Sequence, residues 1–384
     1  MKDALQGIVV IELGTVLTAP LAGMMLADLG ARVIKVEHPE GGDPFRRHAG
    51  KLYSPHFMAY NRNKESIQLD LQSEVGKADL RKLLAKADVL LDNFRAGVLP
   101  RLGFNAEVLK SINPRLVHCS ITGFGAEGPY KDRPCYDAVA LAISGLASQK
   151  IDPQKPVLNG PSLSDNITGM YAAYGILGAL FQRERTGEGA RVEVNMLEAS
   201  IAFSPEGFAQ YTRLGVVPNP MSRVAISQSY AFRCADDRLL AVHLSSVPKF
   251  WGAFVDALER PDLLTDERFQ TPPMRTQNYL LITELVSEVF AQKPYAYWEA
   301  RLTAADVPFA PVKSVPEVMQ DEQVQQLQTF YELRHPEHGE LTAIHRPVKI
   351  NGQRGPSDMP APMLGEHTLS IRREFGLSEL SLID

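Results

Sequence analysis

The stretch "GIVVIELGTVLTAPLAGMMLADLGARVIKVE", residues 7–37, decides the fold. It opens with "GIVVIEL" (7–13), an apolar, β-branched run of strand length. "APLAGMMLADLGA" (19–31) follows with apolar residues at helical spacing and Gly30 as its stop, and "RVIKVE" (32–37) is a second strand. Strand, helix and strand in succession make a βαβ unit, whose strands run parallel. The same alternation continues: "SEVGKADLRKLLAKA" (73–87) reads as a helix, "DVLLDNF" (88–94) as a strand, "AEVLKSI" (106–112) as a helix and "RLVHCSIT" (115–122) as a strand. This pattern predicts an α/β fold with a doubly wound sheet.

The chain then changes character. "IDPQKPVLNGPSLSD" (151–165) reads as an ordered loop, followed by a helix from 166 to about 185 and an alternating strand at "RVEVNM" (191–196). "RLGVVPNPMSR" (213–223) reads as a linker. A smaller α+β unit is expected over 225–325. It holds a hairpin in "SYAFRCADDRLLAVHLS" (229–245) around Asp236 and Asp237, helices near 249–259 and 277–291, and a proline-rich return, "VPFAPVKSVPEV" (307–318). The C-terminal "GEHTLSIRREFGLSEL" (365–380) reads as a helix that packs back on the first domain. Two domains also suit a length of 384 residues.

Charge and composition narrow the function. A net charge of −5 without a basic run argues against nucleic acid as a partner. No apolar run is long enough to span a membrane, and the one at the N-terminus is short for a signal peptide, so no membrane partner is expected. Cys119, Cys135 and Cys234 are sparse, odd in number and lack metal-ligand spacing, which suits a reducing cytoplasm. The nine histidines form no H-E-x-x-H or other cluster, so no catalytic metal is expected. There is no G-x-S-x-G nucleophile elbow.

Four places carry candidate chemistry, each beside a plainer reading. The turn after the first strand lacks G-x-G-x-x-G, which weighs against a dinucleotide, and leaves Glu37 as a strand-end charge. "DNFRAGVLPRLGF" (92–104) puts Asn93, Phe94, Arg95 and Arg101 where open α/β sheets bind ligands; Phe94 suits a purine and Arg101 a phosphate, or they are a core phenylalanine and a solvated arginine. "YKDRPCYDAVA" (130–140) holds Lys131, Arg133, Tyr136 and Asp137 before a small-residue helix, where the plain reading is a capped helix. Asp165 precedes "GMYAAYGILGAL", whose small residues let backbones approach closely. It is either that helix's cap or an ionised nucleophile held at a helix N-terminus.

These stretches together resemble the family III CoA-transferases, the group that includes formyl-CoA transferase, carnitine CoA-transferase and the α-methylacyl-CoA racemases. The matching segments are "L-x-G-I-x-V-I-E-L", "ADLGARVIKVEHPEGGDPFR" (27–46), "NRNKESIQLDL" (61–71), "LLDNFRAGVLPRLGF", "ITGFGAEGPYKDRPCYD", "LSDNITGMYAAYGILGALFQRERTGEGARVEVNMLEAS", "PVKSVPEVMQDEQV" (311–324) and "GEHT". They run in family order from residue 5 onward. The resemblance implies a Rossmann-like doubly wound large domain from 1–200 with 330–384, a small α+β domain over 225–325, linkers at 201–224 and 326–329, and an interlocked-ring homodimer.

It also implies a function. Asp165 would be the nucleophile that takes CoA from an acyl-CoA thioester to a carboxylic acid, through aspartyl anhydride and aspartyl-CoA thioester intermediates. CoA is then a substrate, and no prosthetic group is needed. The CoA site would use Val16, His38, Leu69, Gln72, Asn93, Phe94, Arg101 and Arg133, with Tyr136 and Arg46 toward the substrate. Arg46, Arg47, His48 and Arg223 suggest a second carboxylate and hence a succinyl-CoA donor. There are departures: His38 and Pro134 stand where formyl-CoA transferase has arginine and lysine, and "RVAISQSYAF" (223–232) lacks its glycine run. A racemase of the same family is the alternative, but Tyr136 stands where its histidine would be and is a poor acid–base partner. A CoA-binding protein without catalysis is the other alternative.

Overall fold

The computed structural model describes residues 3–48, 52–245, 249–355 and 359–378. The chain forms two compact units, one of Met1–Leu146, Leu158–Pro205 and Gln323–Asp384, the other of Ala147–Val157 and Glu206–Glu322. The first is built on a six-stranded, all-parallel sheet: β1 (Val9–Glu12), β2 (Arg32–Glu37), β3 (Lys64–Gln68), β4 (Val89–Asp92), β5 (Val117–Thr122) and β6 (Arg191–Asn195), in the order β3-β2-β1-β4-β5-β6. The strand order reverses between β1 and β4, and in open sheets ligands bind beyond the carboxyl ends at that point. The helices between are α1 (Thr18–Ala27), α2 (Pro55–Asn61), α3 (Glu74–Lys86), α4 (Val98–Arg101), α5 (Ala106–Ile112), α6 (Asp137–Ile143), α7 (Leu163–Thr186) and α8 (Met196–Phe203).

Both faces of the sheet are buried, as a parallel sheet requires. In β1, Val10 packs on one face with Ala22 and Leu26 of α1 and Ile176 of α7, while Ile11 packs on the other with Leu80 and Leu84 of α3. The C-terminal helix, Thr368–Phe375, adds Ile371 and Phe375 to that second face; residues 379 and 380 of the expected helix lie outside the described residues. Gly169 is demanded by packing. A Cβ there would sit 2.8 Å from the Thr18 carbonyl oxygen and 3.0 Å from Leu21 Cβ, so α7 and α1 cross closely only without one.

Three elements differ from the expectation. The strand β3 was hidden by its polar sequence, KESIQ, because its Lys64 is buried in an ion pair rather than solvated. An antiparallel hairpin, Phe330–His335 with Gly339–Ile344, occupies a stretch for which no element was expected. The helix read from 166 begins at Leu163, so Asp165 lies inside its first turn and Ser162 is the N-cap.

The second unit holds the antiparallel sheet β7 (Ser229–Arg233), β8 (Leu239–His243) and β9 (Phe309–Pro311). Its core stacks Phe232 on Phe290 at 4.6 Å, beside Phe254 and Trp298. Among the described residues no helix is long and apolar enough to cross a membrane.

Candidate active site

The turn between β1 and α1 ends the first strand at the switch point, and side chains from other segments hold its backbone. The Lys35 ammonium donates to the Gly14 carbonyl at 2.7 Å. The Asn93 carboxamide accepts from the Thr15 amide at 3.0 Å and donates to the Thr15 carbonyl at 2.7 Å. The Asp43 carboxylate accepts from the Val16 amide at 3.1 Å and 3.2 Å. Val16 has a φ of 68°, the left-handed region that a β-branched residue adopts at a cost of about 1–3 kcal/mol unless its surroundings over-determine it.

Those surroundings are a buried ionic network. Lys35 pairs with Asp43 at 2.9 Å and with Glu12 at 3.0 Å; Lys64 pairs with Glu12 at 2.9 Å; and Arg46 grips Glu37 through two 2.7 Å bonds. The three acids and three bases balance in charge, and all are sealed from solvent. Burial alone would pull the Lys35 ammonium down, but the Asp43 and Glu12 carboxylates outweigh it and hold it above its ordinary value. Burial wins at Lys64, which is pushed down to about 8 against the pull of Glu12.

Beyond the turn lie two neighbouring cavities. The larger, about 370 Å³, is lined by Thr15, Val16, Asn93, Phe94, Cys135, Tyr136 and Asp165, with Arg95, Lys131 and Arg133 also on its wall. The smaller, about 210 Å³ and mostly apolar, is lined by His38, Leu69, Gln72 and Phe94, with Glu37 and Asp43 of the ionic network also on its wall. Thr15, Phe94 and Val98 belong to both, so Phe94 stands between them. Its position is fixed by its amide, which donates to Asp92 at 3.1 Å, while the other Asp92 oxygen meets His118 Nε2 at 2.8 Å. Arg95, Lys131 and Arg133 have no carboxylate partner among the described residues; Arg133 lies 4.6 Å over the Tyr130 ring.

Asp165 is not a cap. Its own amide donates to the Asp137 carboxylate at 3.1 Å, so Asp137, the first residue of α6, satisfies the first turn of α7 instead. Among the described residues no group donates to the Asp165 carboxylate, which faces the larger cavity. Burial, with the Asp137 charge adding to it, pushes Asp165 up to about 6. The same causes, burial first and then Asp165 and Asp137, push the Cys135 thiol up to about 11, which keeps it protonated at neutral pH.

The structure therefore brings Val16, Asn93, Phe94, Arg133, Tyr136 and Asp165 to one cavity, and His38, Leu69, Gln72 and Phe94 to the other. Asn93 lines the wall with its carboxamide spent on the turn. His38 is similarly occupied: Nδ1 accepts the Glu40 amide at 3.1 Å and Nε2 lies 3.8 Å from Asp70. Arg101, exposed at the end of α4, lines neither cavity. Arg46 lines neither cavity. Its guanidinium is consumed by Glu37 and the Leu52 and Pro362 carbonyls and stacks 3.7 Å from the Phe57 ring. Glu37, read as a strand-end charge, is its buried partner. Asp43 and Lys35 escaped sequence reasoning; the "GGD" before Pro44, with Gly41 and Gly42 at positive φ, signals a tight turn but not what the aspartate holds.

A family model for CoA-transferase family III matches residues 5–368. The chain belongs to CoA-transferase family III. Acetyl-CoA:oxalate CoA-transferase of Acetobacter aceti is 34% identical to it, over 98% of this chain and 97% of that one. Succinyl-CoA:glutarate CoA-transferase of Mus musculus is 31% identical, over 96% and 86%. A solved structure of a CAIB/BAIF family protein from Brucella suis superposes with a TM-score of 0.86 at 31% identity, covering 98% of this transferase and all of that chain, 100%. The six-stranded parallel sheet is thus the family's architecture in this enzyme.

Proposed function

We propose that this transferase moves CoA between two carboxylic acids with Asp165 as the covalent nucleophile. One observation carries the reading: a carboxylate inside the first turn of α7, with no donor committed to it among the described residues and pushed up to about 6, faces a cavity at the sheet's switch point. A more basic carboxylate is a better nucleophile, and at pH 7 Asp165 remains mostly ionised. Its oxygen attacks the thioester carbonyl, the C–S bond breaks, and CoA thiolate leaves an aspartyl–acyl anhydride. The thiolate then attacks the aspartyl carbonyl, releasing the donor acid as its carboxylate and leaving aspartyl-CoA. The acceptor carboxylate attacks that thioester to form a second anhydride, and the thiolate attacks its acyl carbonyl, giving the new acyl-CoA and free Asp165. No proton is gained or lost, and no metal or prosthetic group enters.

In this reading Arg95, Lys131 and Arg133, whose charges no carboxylate neutralises among the described residues, meet the CoA phosphates; Lys131 and Arg133 make up for Pro134, and the exposed Arg101 extends the basic rim. The smaller cavity, with His38, Leu69, Gln72 and Phe94, takes the adenine. Val16 and Tyr136 bound the acyl side. The relatives act, by their names, on oxalate and glutarate, which favours a dicarboxylate acceptor and, from the second, a succinyl-CoA donor. The enzyme works as an interlocked homodimer. Met170, Tyr174 and Phe181 form an apolar stripe along α7, the last two 74% and 68% exposed, which a second copy would cover. All three cysteines are unpaired, which fits the cytoplasm.

Intact-protein mass spectrometry after mixing with a panel of acyl-CoAs tests the mechanism. An acyl-CoA-dependent adduct that hydroxylamine discharges, absent in Asp165→Ala, is expected. Turnover without loss in Asp165→Ala would sink the reading, and CoA binding with no exchange for any donor would favour a binder.

A further inference from the structure

The ion pair Lys35–Asp43 is not on the wall of the larger cavity, although Asp43 lines the smaller one, and its two ends hold the peptide groups on either side of Thr15, the second of which leads into the strained Val16. Lys35 holds the Gly14 carbonyl at 2.7 Å, and Asp43 holds the Val16 amide at 3.1 Å. The two are joined at 2.9 Å, so the ion pair closes a ring around residues 14–16. Asp43 is itself anchored through its own amide on Glu37 at 3.0 Å, and it accepts the Phe45 amide at 2.9 Å. A buried salt bridge is weak grounds for stability, because desolvation offsets attraction. A rigid, charge-fixed clamp on a residue in the left-handed region has a different use: it keeps a strained wall in one shape.

We propose that Asp43, acting with Lys35, is a positioning residue for the acyl-CoA site: it holds Val16 in the left-handed conformation so that the wall carrying Thr15 and Val16 is preformed for the thioester. This rests on the reading of the larger cavity as the CoA-thioester site. The strain supplies the argument. A valine released from Asp43 relaxes toward negative φ, against the hold that Asn93 keeps on Thr15, whereas glycine occupies a φ of 68° without steric penalty.

The test is a double-mutant cycle. Asp43→Asn retains the shape but removes the charge that fixes both amide bonds and Lys35. It is expected to raise KM for the acyl-CoA about tenfold with kcat within about threefold, as supporting residues around a ligand site do. Val16→Gly alone also removes a side chain from that wall, and whatever KM it gives is the reference for the double variant. In the double variant, glycine no longer needs the clamp, so KM should fall back to within about twofold of Val16→Gly alone, a coupling that independent sites do not give. If the two effects multiply, or if Asp43→Asn lowers the unfolding temperature while leaving KM unchanged, Asp43 is only part of the core and the proposal fails. Should Asp43→Asn not fold, Asp43→Glu, which keeps the charge with a longer reach, replaces it with the same expectations. Asp165→Ala run in parallel keeps the two questions apart: full turnover there would break the site reading, not the clamp.

Discussion

The two walls of the larger cavity are satisfied in opposite ways. At the β1–α1 turn, the Gly14 carbonyl, both Thr15 backbone groups and the Val16 amide have a side-chain partner, and the charges behind them are paired and sealed. Across the cavity, the Asp165 carboxylate accepts nothing among the described residues, and Arg95, Lys131 and Arg133 have no acid. Both walls hold charge near one ligand space. The first spends its charge on geometry, so little is left to react. The second leaves charge unspent, raised in energy by burial and by Asp137, for a substrate to satisfy. A site of this kind needs both: a reactive group uncommitted in the resting enzyme, and a wall that does not move when the group is used.

Substitutions can break this contrast. The largest effect is expected at the reactive wall, where Asp165→Ala should lower kcat for CoA exchange by about a thousandfold or more while CoA binding by calorimetry stays within about threefold, since only the nucleophile is lost. At the fixed wall the loss should appear in stability. Glu12→Gln leaves Lys35 and Lys64 buried with one acid fewer, and removing one partner of a buried pair costs about 3–5 kcal/mol. Thermal unfolding of the variant should begin well below that of the parent; an unchanged midpoint would mean that the network is slack. Arg133→Ala should act between these extremes, raising KM for acyl-CoA by about three- to tenfold and weakening its salt dependence with kcat nearly unchanged. An equal loss in kcat would place Arg133 at the reacting atoms instead.

How much of this was legible in the sequence follows the same divide. The βαβ unit at 7–37 was readable because its strands are apolar and its helix is periodic, and the parallel sheet followed from its repetition. The clamp was not. Lys35, Glu37 and Asp43 are charged residues near the ends of elements, where solvation is the usual fate, and no local pattern says that a charge finds its partner across the sheet. Arg46 shows the same blindness from the other side: an arginine in a glycine-rich loop reads as a ligand for a carboxylate, and its carboxylate is Glu37 of its own chain. β3 went unseen because a buried lysine makes a strand look polar. Asp165 was singled out through the small residues behind it, but its freedom from capping depended on a helix start three residues earlier than the sequence signals and on an acid 28 positions away.

That acid offers the smallest and sharpest test. Asp137 does two things to Asp165: its oxygen accepts the Asp165 amide, and its charge raises the Asp165 carboxyl beyond what burial does. Asp137→Asn separates them, because the carboxamide oxygen can still accept the amide while the charge is gone. The nucleophile is the ionised carboxylate, so kcat/KM for the parent should fall as pH drops through about 6, where Asp165 takes up a proton. In the variant the like charge is absent and burial alone remains, so the Asp165 pKa drops and the acid limb moves to lower pH. The variant should retain a larger share of its plateau activity at pH 5 than the parent does, while the plateau itself falls by no more than about threefold, since a less basic carboxylate attacks more slowly. An acid limb that does not move would assign it to a group other than Asp165. A limb that moves together with a collapse of the plateau would mean that Asp137 holds the geometry of α7 through its charge and not through the single hydrogen bond, and the reactive wall would then be as tightly built as the one it faces.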